Sequence, residues 1–449
     1  MANHTRMEVD SFGSITLPAT TLYGIHTYRA INNLSFSQKL LRFYPAYISA
    51  LVEVKKTAAL TNRDAQIIPK EFVEPILSAC NDILKGTHHE YFQIDLLHGG
   101  GGFATNMNIN EVISNLANLK LGGEIGRYSP IHPIDHVNAS QSTSDVCHTA
   151  SRIALIRMFH PLQRDIEKTI HTLHAKAVEF AEVTTVARTC LQDAMQVKLG
   201  ETFSGYEAML TRRLCSLIEA VNKLYDINLG GTVIGSGVGA PKRYRELVVA
   251  NLREVTQMPL QHRQNLFDAA QNIDDIAEVS SQLRLMAACL MKLAKDLRLL
   301  SSGPEAGLGE ILLPAVQAGS SFFPGKVNPV IPETLIQCCF QIIGIDEIVQ
   351  ETLKHGELNL NVFEGAAITN LFDGLNMLQR ALCTFRENGL KELRANHQRC
   401  EEFANSFVPK LVSLKEKYGY SAVATLMKEK GREEIRRCFQ GGDYIDKID

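Results

Sequence analysis

The sequence predicts a mainly α-helical protein whose long helices assemble into a bundle. Three observations predict it. Apolar residues recur three and four positions apart through five long stretches. Each stretch far exceeds the average helix of ~11–12 residues. Several are apolar over much of their circumference, which suits a rod buried among other rods better than one facing water.

In chain order, residues 1–142 mix short segments with Gly-rich turns, notably HGGGGF at 98–103. From Ser144 to Val183 there is no Gly and one Pro, Pro161, with Ile153, Ile156, Leu162, Ile166, Ile170 and Leu173 in helical spacing. Gly200–Leu229 repeats the pattern, and Ile273–Leu300 follows until the loop SSGPEAGLGE breaks it. A fourth helix is expected from Pro332, proline being tolerated in a first turn, to about Leu353. A fifth is expected over about Val362–Phe403, with Gly365 and Gly374 as weak points. The last fifty residues are charge-rich with a short-helix pattern. Three parts are expected: an N-terminal mixed domain 1–142, a central long-helix domain 143–399 and a small helical domain 400–449. Rods of this length cannot each bury an apolar stripe in a small monomer, so the bundle is expected to continue into an oligomer.

Composition narrows the function. The chain has 449 residues, 45% hydrophobic and 21% charged, which excludes wholesale disorder and collagen-like repeats. Forty-six Lys+Arg against 49 Asp+Glu leave a net charge of −3, without the basic excess of a nucleic-acid binder. No run of ~18 apolar residues is present to span a membrane. The first residues lack a signal-peptide pattern, and the ten cysteines are scattered with no CxxC pair, so a reducing cytoplasm is expected. Walker A, HExxH and GxSxG motifs are absent.

The most informative segment is GSSFFPGKVNPVIPE, Gly319–Glu333. Lys326 and Asn328 place a cation and an amide together, a pair suited to a carboxylate, while successive backbone N–H groups of such a loop can hold an oxyanion. The alternative is an ordinary polar loop before a helix.

This segment resembles the GSSxMPxKxNP loop of the aspartase/fumarase superfamily. RMEVDSFGSITLP with YGIHTYRA, TNMNINEVISN (105–115), HPIDHVNASQSTSD (132–145), RTCLQDAMQVKLGETFSGY (188–206) and LGGTVIGSG (229–237) resemble its other blocks in the same order. The resemblance implies a mainly α, three-domain fold with a long central helix bundle shared across a homotetramer, and active sites shared between three subunits. It implies no redox cofactor or prosthetic group, and no residue is read as a metal ligand. It also implies anti elimination from a succinyl-type dicarboxylate through an aci-carboxylate intermediate. By the same resemblance Ser320 is the general base, Lys326 and Asn328 grip a carboxylate, and Ser142, Thr143 and Thr189 supply hydroxyl donors. Thr105 and Asn106 belong to the supporting block. Ser321 is either a donor to the second carboxylate or a loop residue. Glu333 either orients a neighbour or is a first-turn carboxylate.

The departures cluster. Phe103 stands where the family carries a hydroxyl three residues before the asparagine of TNMN. Ser144 replaces an asparagine, Cys190 a histidine, and Phe323 the loop methionine. Cys190 is either a small wall residue or a reactive thiol. Ile134 replaces an asparagine of HPNDH, which leaves His132 and His136 as structural or hydrogen-bonding residues. The abstraction machinery is therefore retained and the side that recognises the leaving group rebuilt. NPVIPE resembles the aspartase ending, so elimination of ammonia or an amine is expected. The alternatives are release of another group from a modified succinate, then fumarase, then an inactive structural tetramer. A dicarboxylate and further copies of this chain are the expected partners, with no nucleic acid or membrane.

Overall fold

The computed structural model describes residues 5–441; the outer ends of the first and last sequence parts, 1–4 and 442–449, lie outside the described residues. The chain opens with an antiparallel hairpin, β1 (Thr5–Asp10) and β2 (Gly13–Pro18), paired from Thr5 opposite Pro18 to Asp10 opposite Gly13. Helices α1 (Ile25–Leu34), α2 (Pro45–Asp64), α3 (Lys70–Leu84) and α4 (Phe103–Lys120) follow, then the long α5 (Thr143–Glu179). A second hairpin, β3 (Thr184–Thr189) and β4 (Gln192–Lys198), leads into α6 (Leu199–Asn222), α7 (Lys242–Thr256), α8 (Leu266–Gln271) and α9 (Asp274–Leu300). Next come α10 (Val330–Lys354), α11 (Glu364–Phe385), α12 (His397–Ala404), α13 (Phe407–Tyr418) and α14 (Tyr420–Gly441), the last kinked at Gly431.

The chain forms two compact units, each gathered from separated segments. Unit 1 takes the chain up to Gln163, Cys215–Leu285 and Phe340–Gln379; unit 2 takes Arg164–Leu214, Met286–Cys339 and the chain from Arg380. The divisions fall inside α5, α6, α9, α10 and α11. In unit 1, α2 packs against α3 and α7, and α4 against α1 and α3. Ile48, Leu51, Val52 and Val54 of α2 are fully buried, as are Ile109, Val112 and Ile113 of α4. In unit 2, the β3–β4 hairpin carries α12 and α13, and Phe407, Leu426 and Ile435 form a small core of the C-terminal segment.

Two of the expected rods are shorter than read. The second stops at Asn222, because the chain then turns to pair Asp226–Ile227 with Gln261–His262. The fifth ends at Phe385 and passes through a π-turn at Arg386–Leu390. It then pairs Arg394–Ala395 with Ile311–Leu312 before Asn396 caps α12. Gly365 and Gly374 are not its weak points. A Cβ on Gly374 would sit 3.1 Å from Ile345 Cδ1, and one on Gly365 3.0 Å from the Leu96 carbonyl oxygen, so both permit close packing. No helix among the described residues is long and apolar enough to cross a membrane.

Candidate active site

In unit 1 the site residues stand where α4 and α5 begin. Ser142 is the N-cap of α5: its carbonyl accepts from Val146 N at 3.2 Å and its hydroxyl from Ser144 N at 3.3 Å. Asp145 closes a capping box by accepting from Ser142 N at 2.9 Å. Its other oxygen takes Gly230 N (2.9 Å) and Thr232 N (3.1 Å), which pins the 230–232 turn to the same helix end. Burial still raises the Asp145 carboxyl above its ordinary value despite these donors. Thr143 is half-buried and accepts from Asn106 Nδ2 at 3.2 Å. Ser144 points inward: it is 3% exposed and its hydroxyl has no partner among the described residues.

The glycine run at 99–102 brings its chain against this turn. Gly102 has φ 91°, a left-handed conformation that favours glycine, and a Cβ there would meet Cys147 Sγ at 2.9 Å and Thr143 Cγ2 at 3.5 Å. Phe103, the next residue, is half-exposed and meets the His26 ring edge-on at 6.0 Å. The Thr105 hydroxyl is engaged with His98 Nε2 at 2.9 Å. His132 and His136 make local hydrogen bonds, His136 Nδ1 accepting from His132 N at 2.8 Å.

Two supports beneath this site were not read from the sequence. Lys55, fully buried on α2, donates to Asn138 Oδ1 at 2.8 Å and Gln141 Oε1 at 3.0 Å, so it holds the turn that leads into Ser142. Burial pushes its ammonium down to about 7. The available signal was a lysine on the buried stripe of an apolar helix, flanked by Leu51, Val52, Val54 and Ala58. The second support is Glu364, which lies 2.9 Å from His148 Nδ1, 3.5 Å from Arg152, and accepts from Ser151 Oγ. Burial works to raise its carboxyl, but His148, Arg152 and Ser151 outweigh that and hold it down at about 2. Arg152 is in turn paired with Asp275 at 2.7 Å. A cavity of about 30 Å³, room for one or two waters, lies between His98, Thr105, Cys147, His148 and Glu364.

In unit 2 the loop at 319–328 is closed by its own backbone. Gly319 N donates to the Lys326 carbonyl at 2.8 Å, and Asn328 Nδ2 donates to the Gly319 carbonyl at 2.7 Å. Within this ring, Phe322 N (3.0 Å) and Phe323 N (2.9 Å) both donate to Ser320 Oγ. Lys326 is exposed and makes no ion pair among the described residues, which leaves its ammonium available to an anion. Ser321 is exposed, and Phe322 and Phe323 stack edge-on at 4.9 Å with much of both rings in solvent. Glu333, in the first turn of α10, pairs with Arg298 at 3.2 Å.

Thr189 and Cys190 lie exposed at the tip of the β3–β4 hairpin. Cys190 (φ 53°) and Leu191 (φ 59°) form the two-residue turn, so neither conforms to the glycine or asparagine such turns favour. The hairpin base is tied to Glu310, which is fully buried and accepts from Thr185 Oγ1 and Arg188 Nη1. Among the described residues no group of three or more His, Cys, Asp or Glu side chains is placed to hold a metal ion.

A sequence profile of a family described as Lyase matches residues 13–344. The chain belongs to the aspartase/fumarase superfamily of lyases. The aspartate ammonia-lyase of Bacillus sp. is 38% identical over 96% of this chain and 91% of its own length. That of Escherichia coli (strain K12) is 38% identical over 90% of this chain and 84% of its own length. Among solved structures, the fumarate lyase:delta crystallin from Brucella melitensis bound to cobalt superposes with a TM-score of 0.93 at 39% identity, covering 98% of this chain and 94% of that one. A class II fumarase from Schistosoma mansoni gives a TM-score of 0.90 at 29% identity, covering 95% and 92%. The mainly helical fold is therefore that of the superfamily, and the protein is a lyase.

Proposed function

We propose that this lyase eliminates ammonia or an amine from an aspartate-type dicarboxylate, leaving fumarate. The observation that carries the reading is the pair of backbone N–H groups converging on Ser320 Oγ at 3.0 and 2.9 Å. A serine hydroxyl is a poor base; donors aimed at its oxygen favour the alkoxide over the alcohol, in a loop whose geometry is set beforehand. In this reading the Ser320 alkoxide takes the proton from the carbon beside one carboxylate, and the electron pair moves into that carboxylate as the aci form. Lys326 and Asn328 hold the carboxylate that gains charge. Ser142, Thr143 and Thr189 supply further donors, and Ser321 assists at the second carboxylate. The aci-carboxylate then collapses: the carbon–carbon double bond forms and the carbon–nitrogen bond breaks, with its pair going to nitrogen.

Carbon–nitrogen cleavage suits the residue at 190. A hydroxide leaving group needs a proton delivered as it departs, whereas an ammonium already carries it and leaves as a neutral amine. Cys190 in place of an imidazole is compatible with the second case. Phe103, Ser144 and Phe323 shape the leaving-group side, while Thr105, Asn106 and Glu333 support the pocket. We further propose a homotetramer whose active sites draw on three chains. Exposed Phe340 and Ile348 on α10 and Leu285 on α9 support this as apolar helix faces suited to other copies. The organisation in parts 1–142, 143–399 and 400–449, and a cytoplasmic location, belong to the same reading.

The test offers L-aspartate and L-malate to the purified protein and follows fumarate absorbance. A rise with aspartate that disappears in Ser320→Ala is expected. Phe103 and Ser144 favour a second reading, in which a modified succinate releases another group. It gains weight if neither acid reacts in a folded tetramer, and an inert assembly follows only if modified succinates fail as well.

A further inference from the structure

We propose that the cleft beside Phe103 receives an apolar substituent carried on the leaving amine, which makes N-substituted aspartates the preferred substrates over aspartate itself. The inference rests on the elimination reading above for the turn at Ser142 and Thr143. A cleft of about 530 Å³ opens in unit 1 between the β1–β2 turn, one face of α1 and the glycine run, with Phe12, His26, Arg29, Leu34 and Phe103 in its walls. Its position follows from the backbone: Gly102 abuts Thr143, and Phe103 is the next residue, so the wall begins beside the substrate turn.

The charges of the cleft are already spent. Arg29 gives Nε and Nη2 to the two oxygens of Asp10 at 2.8 Å each, and lies over the Phe12 ring at 5.9 Å. Burial pushes the His26 imidazole below its ordinary value, which favours the neutral form beside the Phe103 ring. A second carboxylate would find no uncompensated cation here. An aryl group would find two ring partners, since Phe12 is 84% and Phe103 49% exposed.

For N-benzyl-L-aspartate the balance is complete without another reactant. The proton on the carbon beside the reacting carboxylate goes to the Ser320 oxygen, its electron pair becomes the double bond of fumarate, and the carbon–nitrogen bond breaks. The nitrogen, protonated at the start, leaves as neutral benzylamine.

The test measures binding separately from turnover. Calorimetry compares 2-(2-phenylethyl)succinate, in which a methylene replaces the nitrogen of N-benzylaspartate, with succinate. Both are inert, and the protein is the full chain as wild type, Phe103→Thr and Phe103→Leu. Burial of the phenyl group is expected to tighten binding by about tenfold or more in the wild type. The ratio should fall to about twofold in Phe103→Thr and be partly kept in Phe103→Leu, with all three melting alike. A wild-type ratio near one, or a ratio unchanged by Phe103→Thr, overturns the proposal. Turnover of N-benzyl-L-aspartate is followed in parallel with Ser320→Ala. Turnover that survives Ser320→Ala would remove Ser320 as the base, and no turnover by the wild type would sink the elimination reading; neither result alters what the binding ratio says of the cleft.

Discussion

A Cβ built on Gly319 would lie 2.6 Å from the Lys326 carbonyl oxygen and 2.9 Å from Asn328 N, both backbone atoms of the loop that presents Ser320. Backbone cannot step aside as a flexible side chain would, so Gly319→Ala must open the loop and move the two N–H groups away from Ser320 Oγ. Losing one oxyanion donor typically costs ~10²–10³ in rate. Gly319→Ala is therefore expected to lower kcat by about that factor without changing the melting temperature; an unchanged kcat would mean that the closed ring is dispensable. At this scale the loop was readable, since Ser320, Lys326 and Asn328 lie within nine residues and their types announce anion chemistry. Lys55 was not. A lysine in a helical stripe ordinarily reaches back to water along its stem, and only the distant Asn138 and Gln141 reveal that this one does not.

Elements were legible to the degree that their signals were local. The third long helix, read from Ile273 to Leu300, begins at Asp274 and ends at the same leucine, because a Gly/Pro/Ser loop stops it. The fifth overran because its end is set by strand pairing with Ile311–Leu312, a segment far away in sequence. The β3–β4 hairpin escaped because its turn, Cys190–Leu191, carries neither glycine nor asparagine. A left-handed conformation at a non-glycine residue costs ~1–2 kcal/mol, so the hairpin tip holds strain that its flanking pairs and Glu310 must offset. Leu191→Gly is expected to raise stability by about 1 kcal/mol in urea unfolding. A loss of stability instead would show that the exposed leucine is held by contacts that outweigh the strain.

For the whole molecule, acid is the expected weakness. Glu364 titrates at about 2 in the fold against an ordinary 4.5. The unfolded chain therefore binds the proton first as pH falls, and stability present above about 4.5 drains away as pH drops through about 2. At 1.36 kcal/mol per unit the carboxylate contributes at most roughly 3 kcal/mol. Glu364→Gln should be less stable at neutral pH and show a flatter acid limb in melting temperature against pH. A limb as steep as that of the wild type would assign the acid sensitivity elsewhere. The helical class was open to a reader of the sequence at this scale, but the two compact units were not. Compactness here joins segments more than a hundred residues apart, and no composition shift marks the division.

That interleaving has a consequence for synthesis. Unit 1 takes its last segment from Phe340–Gln379 and unit 2 its last from the chain beyond Arg380. A ribosome that has passed the first three hundred residues has therefore completed neither. Until Leu371, Phe372 and Leu375 emerge, the earlier helices of unit 1 lack partners that are fully or almost fully buried in the finished protein. Domains usually fold in turn as they leave the ribosome, but this chain has no such unit to release early. Its folding waits at least until Gln379 has been made, and a premature stop before Gln379 would yield two unfinished halves instead of one finished one.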